Sequence, residues 1–332
     1  MSRASEIKEY RFYGPLHEVI EKYIAEKRGI GLQYNSESKR LANFDHFTSS
    51  YGCPINTLSK AVIEAWISKR DNECASTQRL RIILMRQFGF FMQRCGYDTY
   101  VLPALPVKKT LGSFTPYIFS DAEVEKIFTQ ADCWKVTPQS PYGYVVIPVL
   151  IRVLFCCGLR ISEVRFLKVG NVDLGNGVLT IYGTKFDKDR LVPMSPSITE
   201  LCRSYSEKMH RLSNDEDVYF PNARRTSYGM TTLYDVFRTL LWNAGISHGG
   251  KGKGPRIHDI RHTYAVRCLR RWVQNGSEIS SALPYLSAYL GHVGLKESQR
   301  YLRLTADLFP EINNALNKTF GEIIPSIGGD SL

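Results

Sequence analysis

Residues 145–167, VVIPVLIRVLFCCGLRISEVRFL, constrain the fold more than any other stretch of the chain. A helix that is apolar on nearly every side has to lie inside a domain, with other elements covering it. The period of this stretch is mixed and Gly158 interrupts it. The pattern predicts a buried helix broken near Gly158 and a second helix from about Ile161. No apolar run reaches the ~18 residues that a membrane span takes. The opening MSRASEIKEYRFYG lacks the apolar core of a signal peptide. Eight cysteines show no CxxC pair and no regular spacing with histidines, so they read as reduced thiols of a cytoplasmic protein, with no zinc site.

The surroundings of the apolar stretch are mostly helical. Ser120 and Glu123 form a capping box that opens a helix at 121–131. VLTIYG at 178–183 and RLVPM at 190–194 flank the polar TKFDKD and read as a β-hairpin. Helices follow at about 196–212 and 230–244, with the extended VYF at 218–220 between them. A glycine-rich basic loop, HGGKGKGP at 248–255, precedes a helix from about His258 to Gln274. A further helix at about 281–290 has Pro284 in its first turn, with Gly291 as a left-handed C-cap. Upstream, four amphipathic segments predict a compact helical domain. Their apolar faces carry Leu16 to Ile24, then Leu41, Phe44 and Phe47, then Leu58, Val62, Trp66 and Ile67 behind a cap at Asn56 or Thr57. The fourth carries Leu80, Ile83, Leu84, Phe88 and Phe91. The proline-bearing VLPALPVKKTLGSFTP at 101–116 has no periodicity and reads as a linker. The expected organisation is a helical domain over 1–105, a linker over 106–116, and a second domain over 117–332 whose tail begins at about 309. The fold class is mainly α with a small antiparallel β-sheet.

Lys plus Arg number 43 against 32 Asp plus Glu, a formal net charge of +11. That excess favours a polyanionic partner, nucleic acid before an anionic membrane. Candidate phosphate contacts are Arg224, Arg225, Lys251 and Lys253. Gln78, Arg81 and Arg86 on the fourth helix are the candidates for reading DNA.

Cutting a phosphodiester without a metal takes a nucleophile, cationic donors for the nonbridging oxygens, and an acid for the leaving oxygen. Arginine suits the second task because its planar fork matches two phosphate oxygens. The chain offers Arg160 with Glu163 one turn on, His258 and Arg261 three apart on one helix, His292 just past Gly291, and Tyr301. Lys185 lies in the hairpin turn and Lys188 shares that turn, so either can be the acid. Tyr285 and Tyr289 fall at helix-face spacing with Leu286 and read as core, and His262 is expected to face away from His258.

GLRISE at 158–163, TKFDKDRLVP at 184–193, HDIRH at 258–262, LGH at 290–292 and Tyr301 resemble, in order and spacing, the motifs of the tyrosine recombinase (phage integrase) family. The resemblance covers roughly 113–310. It implies a four-helix SAM-like core-binding domain followed by an α+β catalytic domain. It further implies that Tyr301 attacks phosphorus to form a 3′-phosphotyrosyl link. Arg160 and Arg261 would hold the phosphate, Lys185 would be the general acid, and His258 would assist proton transfer. His292 would hydrogen-bond a phosphate oxygen and Glu163 would orient the site. No cofactor and no metal are implied. The expected partners are double-stranded recombination sites and three further copies of the chain, exchanging the tail at about 309–332 in a tetramer, with accessory DNA-bending proteins. The details of LPYLSAYLGH and YLRLTADLFPEI resemble recombinases of transposons and integrative elements. The alternatives are a chromosome-dimer resolvase, a type IB topoisomerase-like enzyme, or a DNA-binding protein without catalysis.

Overall fold

The computed structural model describes residues 7–104, 115–182, 189–250, 254–277, 279–291, 301, 302 and 304. The chain divides between Gly112 and Ser113 into two compact units.

The first unit has four helices: α1 (His17–Gly29), α2 (Asn35–Tyr51), α3 (Lys60–Ile67) and α4 (Ala75–Arg94). Their apolar stripes meet in one core of Leu16, Ile20, Tyr23, Leu41, Phe44, Ile63, Leu84 and Phe88. Three details differ from the sequence reading. Ser59 caps α3, accepting from the Val62 N–H, while Asn56 sits at φ 55 in the turn before it. On α4 the buried stripe runs through Leu84, Met85, Phe88 and Met92, and Leu80 and Ile83 are exposed. The third concerns the residues expected to read DNA. Arg81 is only 4% exposed. Its Nε donates to Glu73 Oε1 at 2.9 Å and its Nη2 to the Ser68 carbonyl at 3.0 Å, with Nη1 on the Trp66 carbonyl. Gln78 Nε2 donates to the Ile67 carbonyl at 3.1 Å. These two side chains therefore satisfy the orphan carbonyls at the end of α3, a structural task that sets Arg81 aside as a base reader. Arg86 is half-buried, with Nε on the Leu102 carbonyl at 3.1 Å and its guanidinium over the Phe90 ring. Arg81→Ala is expected to lower the melting temperature of the full chain by more than about 5 °C. The salt dependence of duplex binding should not change; a slope smaller by about one would make Arg81 a phosphate contact after all.

In the second unit the 145–167 stretch does what its composition requires. It forms α6 (Gly143–Cys157) and α7 (Ile161–Arg165), and Val146, Ile147, Leu150, Ile151 and Leu154 are fully or almost fully buried. The capping box at Ser120 and Glu123 opens α5 (Asp121–Asp132), which packs on α6. The sheet has three antiparallel strands in the order β1 (Val172–Asp173), β2 (Val178–Ile181) and β3 (Arg190–Pro193), one more than the expected hairpin. Leu179 and Ile181 of β2 and Val192 of β3 face the core. Around this centre lie α8 (Pro196–Met209), α9 (Met230–Asn243), α10 (Asp259–Gln274) and α11 (Ile279–Leu290). Because α11 begins at Ile279, Pro284 lies inside the helix and not in its first turn. Tyr285 is 75% exposed, so it is not core. Each of the eight cysteines is a free thiol; Cys157 is buried in the α6 core and Cys156 beside it is exposed. Among the described residues no helix is long and apolar enough to cross a membrane.

Candidate active site

Gly158 ends α6 in the left-handed conformation, φ 58, and a Cβ there would stand 2.4 Å from the Tyr264 ring. Only glycine combines that backbone with that closeness. The turn sets Arg160, in extended backbone, as the residue that caps α7. One oxygen of Glu163 takes the Arg160 backbone N–H at 2.7 Å and the other takes Arg160 Nη1 at 2.8 Å.

The same carboxylate is gripped from the other side by Arg190, with Nη1 on Oε1 at 2.9 Å and Nη2 on Oε2 at 2.8 Å. The sequence reading gave Arg190 no role. A signal for it existed: in β3 it shares the inward face with Val192, and an arginine on a core-facing position needs a buried partner. Burial alone would raise the Glu163 pKa, but the Arg190 hydrogen bonds, the Arg190 charge and the Arg160 N–H hold it below the usual 4.5.

Arg261 on α10 is 2% exposed. Its Nη1 donates to the Gly158 carbonyl at 2.9 Å and its Nη2 to the Leu290 carbonyl. Arg160 Nη2 donates to the Gly291 carbonyl at 2.9 Å, and Arg190 Nε to the Tyr289 carbonyl at 2.8 Å. Three successive carbonyls at the end of α11 are thus held by three arginines. Gly291 is at φ 65, and a Cβ there would stand 3.0–3.2 Å from the Arg190 side chain. Burial, then the Arg160 charge, draws the Arg261 pKa down to about 10, while Glu163 and Tyr301 work in the opposite direction. At neutral pH the cluster holds three guanidinium groups against one carboxylate, an environment that favours an anion.

Tyr301 is 4% exposed, in an apolar cluster with Ala265, Val266 and Leu269 of α10 and Leu283, Leu286 and Leu290 of α11. His262 Nδ1 lies 3.0 Å from its hydroxyl oxygen, contrary to the expectation that His262 faces elsewhere. His258 precedes α10 and meets the His262 ring edge-on, with centroids 4.9 Å apart. Desolvation by the surrounding chain, then the Arg261 charge, lowers the His258 pKa below 6.5. Tyr289 donates to the Pro193 carbonyl at 3.3 Å and stacks on Tyr264, and burial raises its pKa.

Arg160, Glu163, His258, Arg261 and Tyr301 therefore gather in the second unit, with Arg190 and His262 added. Lys185, Lys188, His292, Lys251, Lys253 and the tail from 309 lie outside the described residues. Arg224 and Arg225 are exposed, and Arg225 lies over the Tyr142 ring with its centroid 4.8 Å away.

The model of the phage integrase family matches residues 119–307. The chain belongs to that family and is a tyrosine recombinase of the integrase type. Among its relatives is the integrase/recombinase y4rB of Sinorhizobium fredii, 28% identical over 310 residues that cover 91% of this chain and 96% of the relative. Tyrosine recombinase XerD of Vibrio cholerae is 25% identical over 254 residues, 76% of this chain and 78% of XerD. Two solved structures share the fold. XerH in a post-cleavage complex with palindromic difH substrate has TM-score 0.62 at 19% identity, over 89% of this chain and 83% of that one. The Tn1549 transposon integrase with a circular intermediate DNA has TM-score 0.60 at 16% identity, over 85% and 94%.

Proposed function

We propose that this chain is a site-specific recombinase that cuts and rejoins DNA through Tyr301. The observation that supports it best is the convergence of Arg160 and Arg261 on the end of α11, close enough to Tyr301 for the tyrosine to affect the Arg261 pKa. Each guanidinium carries five N–H donors, and the α11 carbonyl, Gly158 and Glu163 contacts occupy two of them on either arginine. The remaining donors suit the two nonbridging oxygens of a scissile phosphate. Tyr301 Oη attacks phosphorus, a 3′-phosphotyrosyl link forms, and the 5′-oxygen leaves with a proton from Lys185 or Lys188. The link conserves the phosphodiester bond energy, so rejoining needs no external energy source. Glu163 fixes Arg160, His258 stands beside the arginines with its pKa lowered, and His292 supplies a further donor to the phosphate.

In this reading the units of 1–105 and 117–332 are the core-binding and catalytic halves. Four copies bring two duplexes together and exchange strands through a Holliday junction, with tails exchanged between subunits. The mobile-element role is supported by the extent of the match to the Sinorhizobium fredii integrase/recombinase, which exceeds that to XerD.

A duplex nicked near the cut site tests this, because the short strand diffuses away and traps the adduct. The expected result is a covalent protein–DNA species and, with two intact duplexes bearing the sequences that flank the gene, exchanged products. An adduct with relaxation of one duplex and no exchange would make the chain a topoisomerase. No adduct would leave it a DNA-binding protein. Guanidinium groups supply the charge that metal ions bring to other phosphoryl transfers. Adduct yield is therefore expected to be unchanged by EDTA, and loss of the adduct on chelation would overturn the mechanism.

A further inference from the structure

We infer that His262 is a catalytic residue, the group that takes the phenolic proton when Tyr301 attacks phosphorus. This rests on the reading of Tyr301 as the nucleophile. A tyrosine hydroxyl with an ordinary pKa of about 10 is a weak nucleophile at neutral pH unless a base removes its proton as the bond forms. Among the described residues, His262 Nδ1 lies within hydrogen-bond reach of Tyr301 Oη, at 3.0 Å. A neutral imidazole that carries its proton on Nε2 accepts at Nδ1. The two rings lie 5.5 Å apart at 51°, so the contact is made edge to hydroxyl and not by stacking.

The helix explains the arrangement. Arg261 and His262 are neighbours on α10 and leave it about 100° apart. Arg261 points into the cluster at Gly158 and Leu290, and His262 points to the apolar cradle of Tyr301. One turn thus carries a phosphate grip and a base aimed at the nucleophile. His258, one turn earlier, touches the His262 ring edge-on at 89°. It is placed to orient that ring, which makes it a positioning residue for this proton transfer.

The step balances. Tyr301 Oη bonds to phosphorus as the bond from phosphorus to the 5′-oxygen breaks. The phenolic proton passes to His262 Nδ1, and the 5′-oxygen takes a proton from Lys185 or Lys188. On rejoining, the 5′-hydroxyl returns its proton to that lysine as its oxygen attacks phosphorus, the bond to Tyr301 breaks, and the imidazolium returns its proton to Oη.

The test is single-turnover cleavage of the nicked duplex by the full chain. His262→Asn keeps an acceptor near the Nδ1 position but cannot take a proton. It should bind the duplex and cleave it about 10²–10³-fold more slowly, and free imidazole should partly restore His262→Ala. A duplex with sulfur in place of the bridging 5′-oxygen has a leaving group that needs no acid. It should restore a variant of the general-acid lysine and leave His262→Asn slow. The wild-type rate should rise with pH through the imidazole range. His258→Asn should lower the rate but keep that rise, and His262→Asn should lose it. His262→Asn within about threefold of wild type, or disappearance of the rise in His258→Asn alone, would overturn the inference. Should His262→Asn fail to bind, the wild-type and His258→Asn profiles decide. If the wild type forms no adduct, the reading of Tyr301 falls and this inference with it. If adduct forms and depends on Tyr301 but not on His262, only this inference falls.

Discussion

Tyr301→Phe is expected to lower covalent capture of a nicked duplex by more than about 10⁴-fold while duplex binding persists. The substitution removes one oxygen and leaves the ring in its apolar cradle with Ala265, Val266 and Leu269. The loss to folding includes the hydrogen bond with His262, worth about 1 kcal/mol. Chemistry and stability therefore separate, which makes the variant a clean probe. Denaturing gels read the adduct and a gel shift reads binding. An adduct that survives the change would mean another nucleophile. Tyr285, 75% exposed on α11, would be the first to replace. Tyr289 is a poorer candidate, since its hydroxyl is engaged by Pro193 and burial raises its pKa.

The second large effect is on stability. Glu163 and Arg190 have side chains only 8% exposed each, and the pair is bidentate. Glu163→Ala leaves Arg160, Arg190 and Arg261 gathered without their counter-charge, and should cost about 3–5 kcal/mol. Chemical denaturation at pH 7 measures it, and a loss under about 1 kcal/mol would show that the carboxylate does not hold the cluster together. The pH dependence has a definite sign. The folded pKa of Glu163 lies below 4.5. Its contribution is fully present above the unfolded value of about 4.3, and is lost as pH falls through the lower folded value. Glu163→Gln has no such proton to take up, so its stability should fall less steeply than that of wild type below about pH 4.5.

Much of this architecture is written in the sequence where one physical rule dominates locally. The apolar run at 145–167 had to be buried, and the turn at Gly158 followed from its composition. The capping box at Ser120 and Glu123 is local by nature. The four N-terminal helices show their apolar faces as a 3.6-residue period. The first errors arise where a side chain's partner is distant in sequence. Arg81 looks like a solvent-facing cation on α4 until the end of α3 arrives to claim it. Leu80 and Ile83 belong to an apolar stripe by spacing, yet the core takes the next face round. In the site, Arg160, His258, Arg261 and Tyr301 could be singled out because their residue types and order suit phosphate chemistry, and the fold brings them together. His262 and Arg190 could not, because what places them there is contact with Tyr301 and Glu163 that only the fold creates. A helical wheel puts His258 and His262 one turn apart on one side of α10, and that proximity was the missed cue.

The three arginines that hold the carbonyls of Tyr289, Leu290 and Gly291 come from positions 190, 261 and 160. A ribosome makes the hands long before it makes what they grasp. While 289–291 are still unmade, the guanidinium groups lack their common anchor, and Tyr301 emerges later still. On the reading proposed for Tyr301, an unfinished chain lacks both the grip on a phosphate and the group that attacks it. An enzyme that works through a broken strand would in this way be unarmed until nearly all of the matched segment has been translated, and a copy terminated before Tyr301 would leave no nick for others to repair.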